Sequence, residues 1–247
     1  MYATKKIQES SLMNKRSVRF TGLMYLLVII CAGFSQGYVR GTLVVPGDAA
    51  ATAANIVSQE GLFRLGLVAD LIAFILDAII SVMFYQMFRP YNKTLAMVSS
   101  VLRLLAHPAI ASLNLLNHYL ALAVLGEADF LAVFDPGQLQ SMSLFLMDAH
   151  RNGYLIAGAF FGVHCFLLGM LIYQTDMIPK LFGVLMVVAA AGYLMETFGN
   201  FLFPGNEGWL AWVVGLSAAL GEVELALYML IKGVKKSYRA EFINQPV

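Results

Sequence analysis

Six long apolar runs, at approximately 19–37, 61–88, 94–125, 150–174, 180–203 and 209–232, constrain this chain more than any other feature. A bilayer with a hydrocarbon core about 30 Å thick is crossed by roughly 20 apolar residues in a helix. Inside lipid every backbone N–H and C=O must be satisfied within its own segment, so runs of this length are expected to be helical. Charge is scarce to match: 13% of the 247 residues are charged and 60% are hydrophobic, whereas soluble domains carry about 25% charged residues. Too few charges remain to cover a water-facing globule. The expected fold is all-α, a polytopic transmembrane bundle of about six spans within 19–232. A cytoplasmic N-terminal segment (1–18) precedes it and a basic cytoplasmic tail (233–247) follows.

Lys15, Arg16 and Arg19 before the apolar run Phe20 to Phe34 resemble the start of a secretory leader. No clean small-x-small cleavage site follows and five further spans lie downstream, so the run is read as a retained first helix. Orientation follows the bias of Lys and Arg. With the N-terminus inside, the cytoplasmic segments collect Lys5, Lys6, Lys15, Arg16, Arg19, Arg89, Lys93, Lys180, Lys232, Lys235, Lys236 and Arg239, against Arg40, Arg64 and Arg151 outside. Trp209 and Trp212 then fall at the outer end of the last span, where an aromatic belt belongs. The expected topology is N-in/C-in, multi-pass, in the cell (inner) membrane. Short interfacial helices are expected in the outer loops: one over Ala49–Ser58, capped by Asp48, and a second over Gln138–Met147.

The informative residues are those that lipid rejects. A charge at a helix centre costs about 2.5–3.5 kcal/mol on insertion scales and normally faces the bundle interior with a partner. The second span carries Asp70 and Asp77, seven apart and on one face. In the third, Arg103, His107, Asn114 and His118 form a polar stripe at helical spacing. The fourth carries His150, Arg151 and His164, the fifth Glu196 and Asn200, and the sixth Glu222 and Glu224. With a rise of about 1.5 Å per residue, Asp77, His107, His164 and Glu222 come within roughly 5 Å of the midplane. One polar cluster near the bilayer centre is therefore expected. Asp77 and Arg103 read either as an ion pair fixing helix register or as a binding or proton-handling pair. Asp70 and Glu196 find no evident partner, and Glu224 is a second candidate partner for Arg103. Pro108 after His107 predicts a kink. A weak repeat at an offset of 87 equates Arg64 with Arg151, Lys93 with Lys180, and Asp77 with His164.

Several chemistries remain open on these residues. Binding or translocation of a small molecule, ion or lipid headgroup needs a polar midplane cavity, with Asp70, Asp77, Arg103, His164, Glu196 and Glu222 as the candidate ligand-binding set and Arg64 and Arg151 as anchors at the outer mouth. The alternative is a membrane-embedded scaffold or partner protein whose polar groups only fix packing. An intramembrane metal-dependent hydrolase would need three converging ligands. His107, His164 and the carboxylates supply the types, but no metal-type spacing occurs. Haem held by axial pairs from His107, His118, His150 and His164 is a further comparison, although the spacings of eleven and fourteen do not match. Whether the chain is an enzyme, and with what cofactor, is undetermined by these residues. The two cysteines, Cys31 and Cys165, lie in apolar runs and read as inert buried thiols. A net charge of +1 with no basic stripe suggests no nucleic-acid partner. The expected partners are the lipid bilayer and a small-molecule or lipid ligand, with assembly as a homo-oligomer left open.

One resemblance covers nearly the whole chain, roughly residues 17–236. It is carried by Val39-Arg40-Gly41, Pro46 to Ala53, Leu62-Phe63-Arg64-Leu65-Gly66 with Asp70, and Phe88-Arg89-Pro90 with Asn92. It continues through Asn114-Leu115-Leu116, Phe134-Asp135-Pro136, Asp148-Ala149-His150, Phe160 to His164, Leu168-Gly169, Pro179-Lys180 and Gly221-Glu222. These stretches resemble an uncharacterised bacterial membrane-protein family filed as domain of unknown function 4386. The resemblance implies a membrane location and the helical fold, and no activity. Asp70, Arg64, His164 and Glu222 match its pattern, whereas His107 and His118 find no place in it. This moves the expected site toward Asp70, Asp77, Arg103, His164 and Glu222.

Overall fold

A computed structural model describes residues 15–234. Seven helices form and, among the described residues, no strand. They are α1 (Lys15–Leu43), α2 (Ala49–Ser58), α3 (Glu60–Phe88), α4 (Lys93–Ala123), α5 (Pro136–Gln174), α6 (Lys180–Leu202) and α7 (Glu207–Ile231). All but α2 are long and apolar enough to cross a membrane, so the chain is a multi-pass membrane protein of the expected class. Lys5, Lys6 and the tail lysines of the expected flanking segments lie outside the described residues.

The six spans pack in chain order, α1 on α3, α3 on α4, α4 on α5, α5 on α6 and α6 on α7, and α7 closes the ring on α1. Closure happens at one end: Arg19 Nη2 donates to the Ile231 carbonyl at 2.6 Å. There Gly22 lets the backbones touch, since a Cβ at this position would stand 2.5 Å from the Leu230 nitrogen. This basic end holds the first residue of α1 and the last of α7, together with the α3–α4 and α5–α6 turns. Small residues serve the same purpose at the α5–α6 crossing, where a Cβ at Gly169 would lie 2.6 Å from the Gly183 carbonyl oxygen. Such close approach is how helices associate in lipid, where no hydrophobic force drives them together.

The opposite end differs from expectation at one place. Asp48 caps α2 as anticipated, its carboxylate accepting from the Ala51 N–H at 2.9 Å, after a turn in which Gly47 takes φ +77°. The second short helix does not exist as a separate element. Gln138–Met147 is the beginning of α5, which runs unbroken for 39 residues, about 58 Å at 1.5 Å per residue. Pro136 starts it, and the Gln138 side chain accepts from the Asp135 N–H at 2.9 Å. Nothing between Met147 and the membrane portion breaks it, because Gly153 is held helical against Asn114. The first turns of α5 rise beyond a bilayer-thick core and carry α2 against them.

Three spans contain a π-helical turn: Gly33–Arg40 in α1, Leu105–Ala111 around Pro108 in α4, and Ala219–Val223 in α7. The kink expected at Pro108 therefore takes the form of a widened turn. Such turns re-aim side chains and occur disproportionately at functional sites. Replacing Gly169 with Val should lower the stability of the purified protein in detergent by about 1–3 kcal/mol or more through overpacking. Gly61→Ala, which meets nothing within 4 Å, should leave the thermal midpoint unchanged.

Candidate functional site

The hub of the ring is Arg103, the largest fully buried side chain in the protein. Its Nε donates to Asp77 Oδ1 at 2.9 Å and its Nη2 makes a second, very close contact with the same oxygen. Its Nη1 meets His164 Nε2 at 3.1 Å. His164 Nδ1 lies 2.9 Å from the Ser99 carbonyl, which only accepts, so the ring is neutral with its proton on Nδ1 and a lone pair toward Arg103. Aromatic faces fill the rest of the sphere: the guanidinium carbon lies 4.6 Å from the Tyr25 ring centre, 5.0 Å from Phe161 and 5.6 Å from Phe84. Cation–π attraction strengthens when the cation is desolvated in this way. This part of the site is dry.

Asp77 turns its other oxygen outward. His107 Nδ1 lies 2.7 Å from Asp77 Oδ2, so the carboxylate accepts the Nδ1 proton and holds the ring with its Nε2 edge turned away from Asp77. His107 is 12% exposed and lines a cavity of about 250 Å³. Across the cavity stands Glu222, held by two phenols: Tyr25 donates to it at 2.7 Å and Tyr193 at 2.6 Å. Tyr154 completes the polar end, while Val28, Ile29 and Ala32 of α1 and Gly215, Ala218, Ala219 and Val223 of α7 supply apolar walls. The cavity therefore lies between α1 and α7, beyond the point where Gly22 brings these helices together. Ile30, Leu216 and Leu220 on the same two helices face outward and are exposed.

A second polar group lies toward the opposite end. Arg40 Nη1 donates to Asp70 Oδ2 at 2.7 Å, and both side chains are buried. Arg40 Nε donates to Gln36 at 2.7 Å, and its Nη1 lies 3.4 Å from His118 Nδ1. His118 gives its Nε2 proton to the Phe63 carbonyl at 3.0 Å and packs edge-on against His150, the ring centres 5.6 Å apart.

Of the residues singled out from sequence, Asp77, Arg103 and His164 meet directly, and Glu222 joins them through Tyr25. Asp70 belongs to the other group, and the absence of a partner expected for it is corrected: Arg40, read as an outer-loop cation, is buried and paired with it. Glu196 stands apart on α6, half-buried, with no hydrogen bond to its carboxylate among the described residues. Glu224 is exposed and does not reach Arg103. Arg64 pairs with Glu60 at the surface and Arg151 with Asn200; neither lines the cavity. The repeat does place its equated positions Asp77 and His164 against one guanidinium. His107, which the resemblance set aside, is the histidine that reaches the cavity. The signal for it was present in its place on the Arg103–His118 stripe. Tyr25, Tyr154 and Tyr193 carried none, because a tyrosine in an apolar run reads as ordinary core or interface. The haem comparison fails, since His118 and His150 pack on each other and both nitrogens of His118 and His164 are engaged. Among the described residues no three of His, Cys, Asp and Glu converge to hold a metal ion.

Comparison with known proteins gives a family and no activity. The family described as "Domain of unknown function (DUF4386)" matches residues 20–233. An uncharacterised protein of Archaeoglobus fulgidus is 29% identical over 172 residues, which is 70% of this chain and 84% of that protein. No solved structure matches.

Breaking the central pair should be costly, because it strands a buried charge, at about 3–5 kcal/mol. Asp77→Ala and Arg103→Ala are each expected to destabilise on that scale in denaturant unfolding in detergent. The double variant Asp77→Ala/Arg103→Met should lose less than the two single losses combined.

Proposed function

The chain belongs to the family described as Domain of unknown function (DUF4386), and from its site we propose that it binds a small amphiphile from the lipid phase in the cavity between α1 and α7. The observation that carries the reading is the pairing, on one cavity, of an Asp77-held imidazole with a phenol-clamped Glu222 carboxylate, under otherwise apolar walls. Binding pockets combine a mostly apolar lining with a few placed polar groups that orient the guest. A guest with a hydroxyl head and an apolar body matches this division: the head donates to His107 Nε2, and the body lies along Val28, Ile29 and the α7 wall. The residues of the finer reading are thus Asp77 and Arg103, which position His107, together with Glu222. Asp70, His164 and Glu196 take no part in contacting the guest. The reading takes the basic end as cytoplasmic and the host membrane as the cell (inner) membrane, following the Lys and Arg bias.

The dry half of the cluster supports a second reading. Arg103, Asp77 and His164 have essentially no exposed surface, which is what a register-fixing ion pair requires. In that case the protein is a membrane scaffold and the cavity is incidental.

The two readings differ in ligand-dependent stability. Decanol, with decane as the control, serves as the probe. A single-site ligand at about 100 times its Kd stabilises by about 2.7 kcal/mol. Decanol should raise the thermal midpoint of the protein in detergent, decane should raise it less, and His107→Phe should reduce the decanol effect to that of decane. Equal responses to both compounds in the wild-type protein would favour the scaffold.

A further inference from the structure

The side chains that line the cavity shrink along both of its helices in the direction away from the basic end. On α1, Val28 and Ile29 are followed by Ala32; on α7, Val223 gives way to Ala219 and Ala218, and these to Gly215. At the basic end the same two helices touch at Gly22 and close the gap. Away from it each packs on its other neighbour. Ser35 of α1 donates to the Gly66 carbonyl of α3 at 2.8 Å, and Leu210 and Ser217 of α7 press on Gly199 and Gly192 of α6. The apolar part of the cavity is thus a slot of small residues between helices that are held apart.

Gly215 is the far member of this series, and neither packing nor backbone conformation accounts for it. Glycine inside a helix is unfavourable relative to alanine, because its backbone loses more freedom on folding. Within a membrane, close approach of helices usually offsets this. Gly221 of the same helix is such a case, since a Cβ there would stand 2.8 Å from the Ala189 Cβ. A Cβ at Gly215 would meet nothing within 4 Å, and the positive-φ glycines among the described residues are Gly47, Gly205 and Gly233. What its missing side chain leaves is space on the rim of the cavity. The rim lies two helical turns from Glu222, about 10 Å along α7 at 1.5 Å per residue.

We propose that Gly215 is the residue that admits the apolar tail of the guest, which makes the site one for a long-chain alcohol rather than a small hydroxylated solute. This rests on the reading of the cavity given above, with the hydroxyl head at His107 and the body along the α7 wall. Laid out from that head, a chain passes Ala219 and Ala218 and reaches Gly215, where a larger side chain would stand in its course. Gly215 is exposed, so a chain that passes it continues into lipid. Lipid tails are as apolar as these walls. Burial therefore favours no particular chain length, and the room left at Gly215 decides which chains fit.

Hexanol and decanol separate the two levels, because hexanol ends short of Gly215 and decanol extends past it. Each is titrated against the thermal midpoint of the purified protein in detergent, at equal mole fraction in the detergent phase, with hexane and decane as controls. In the wild-type protein both alcohols should raise the midpoint above their alkanes. Gly215→Phe should weaken decanol by about tenfold, the factor that an overpacked contact of about 1.4 kcal/mol imposes, and leave hexanol unchanged. Gly215→Leu should act in the same direction and serves if the phenylalanine variant does not fold. Unchanged binding of both alcohols in these variants would overturn the role of Gly215 and leave the cavity reading standing. Loss of both alcohols together would overturn it as well, since the effect would then be on the polar end and independent of chain length. If neither alcohol exceeds its alkane in the wild-type protein, the cavity reading itself falls and the role of Gly215 falls with it.

Discussion

A guanidinium with no exposed surface, in the middle of a bundle faced by lipid, must be neutralised where it stands, and the way Arg103 is neutralised arranges most of the core around it. Asp77 from α3 supplies the charge, His164 from α5 supplies a lone pair, and Tyr25, Phe84 and Phe161 supply ring faces. Four of the six spans are thereby tied to one planar group. A bidentate or stacked arginine tolerates little displacement, so each of these helices is fixed in rotation and depth as well as in neighbour. The cavity is a consequence: Asp77 spends one oxygen on Arg103, and the other is free to hold His107 toward the gap between α1 and α7.

The three π-helical turns explain how residues on regular spans reach these positions. Each carries one polar side chain of a cluster: Arg40 in α1, His107 in α4 and Glu222 in α7. In α7 the widened turn also presses on α6, where a Cβ at Gly221 would sit 2.8 Å from the Ala189 Cβ. A widened turn shifts the phase of everything beyond it by a fraction of a turn. That is why stripes drawn at ideal helical spacing miss such groupings.

Both polar groups follow one rule. A buried arginine is matched to one aspartate, and a neutral histidine, its proton spent on a backbone carbonyl, turns a lone pair to the cation. His164 does this for Arg103 through Ser99, and His118 for Arg40 through Phe63. A neutral imidazole satisfies an arginine donor without adding a second charge to a medium where charge is costly. The difference between the groups is what stands beside them: the Asp77–His107 contact opens on a cavity, whereas Arg40 and Asp70 are buried against each other.

From the residues alone came the membrane class, the six spans, the α2 cap at Asp48, the anomaly at Pro108 and the common level of Asp77, His107, His164 and Glu222 along their spans. These follow from local quantities: hydrophobic length, a capping carboxylate, a missing N–H and a rise per residue. The continuity of α5, the burial of Arg40 against Asp70, the isolation of Glu196 and the choice of His107 over His164 as the cavity histidine were decided by tertiary packing. The physical reason is that a residue's depth in a span is set by counting along the chain, whereas the direction in which it faces depends on helix rotation. Rotation is set by the neighbours that a guanidinium, a glycine crossing or a π turn allows.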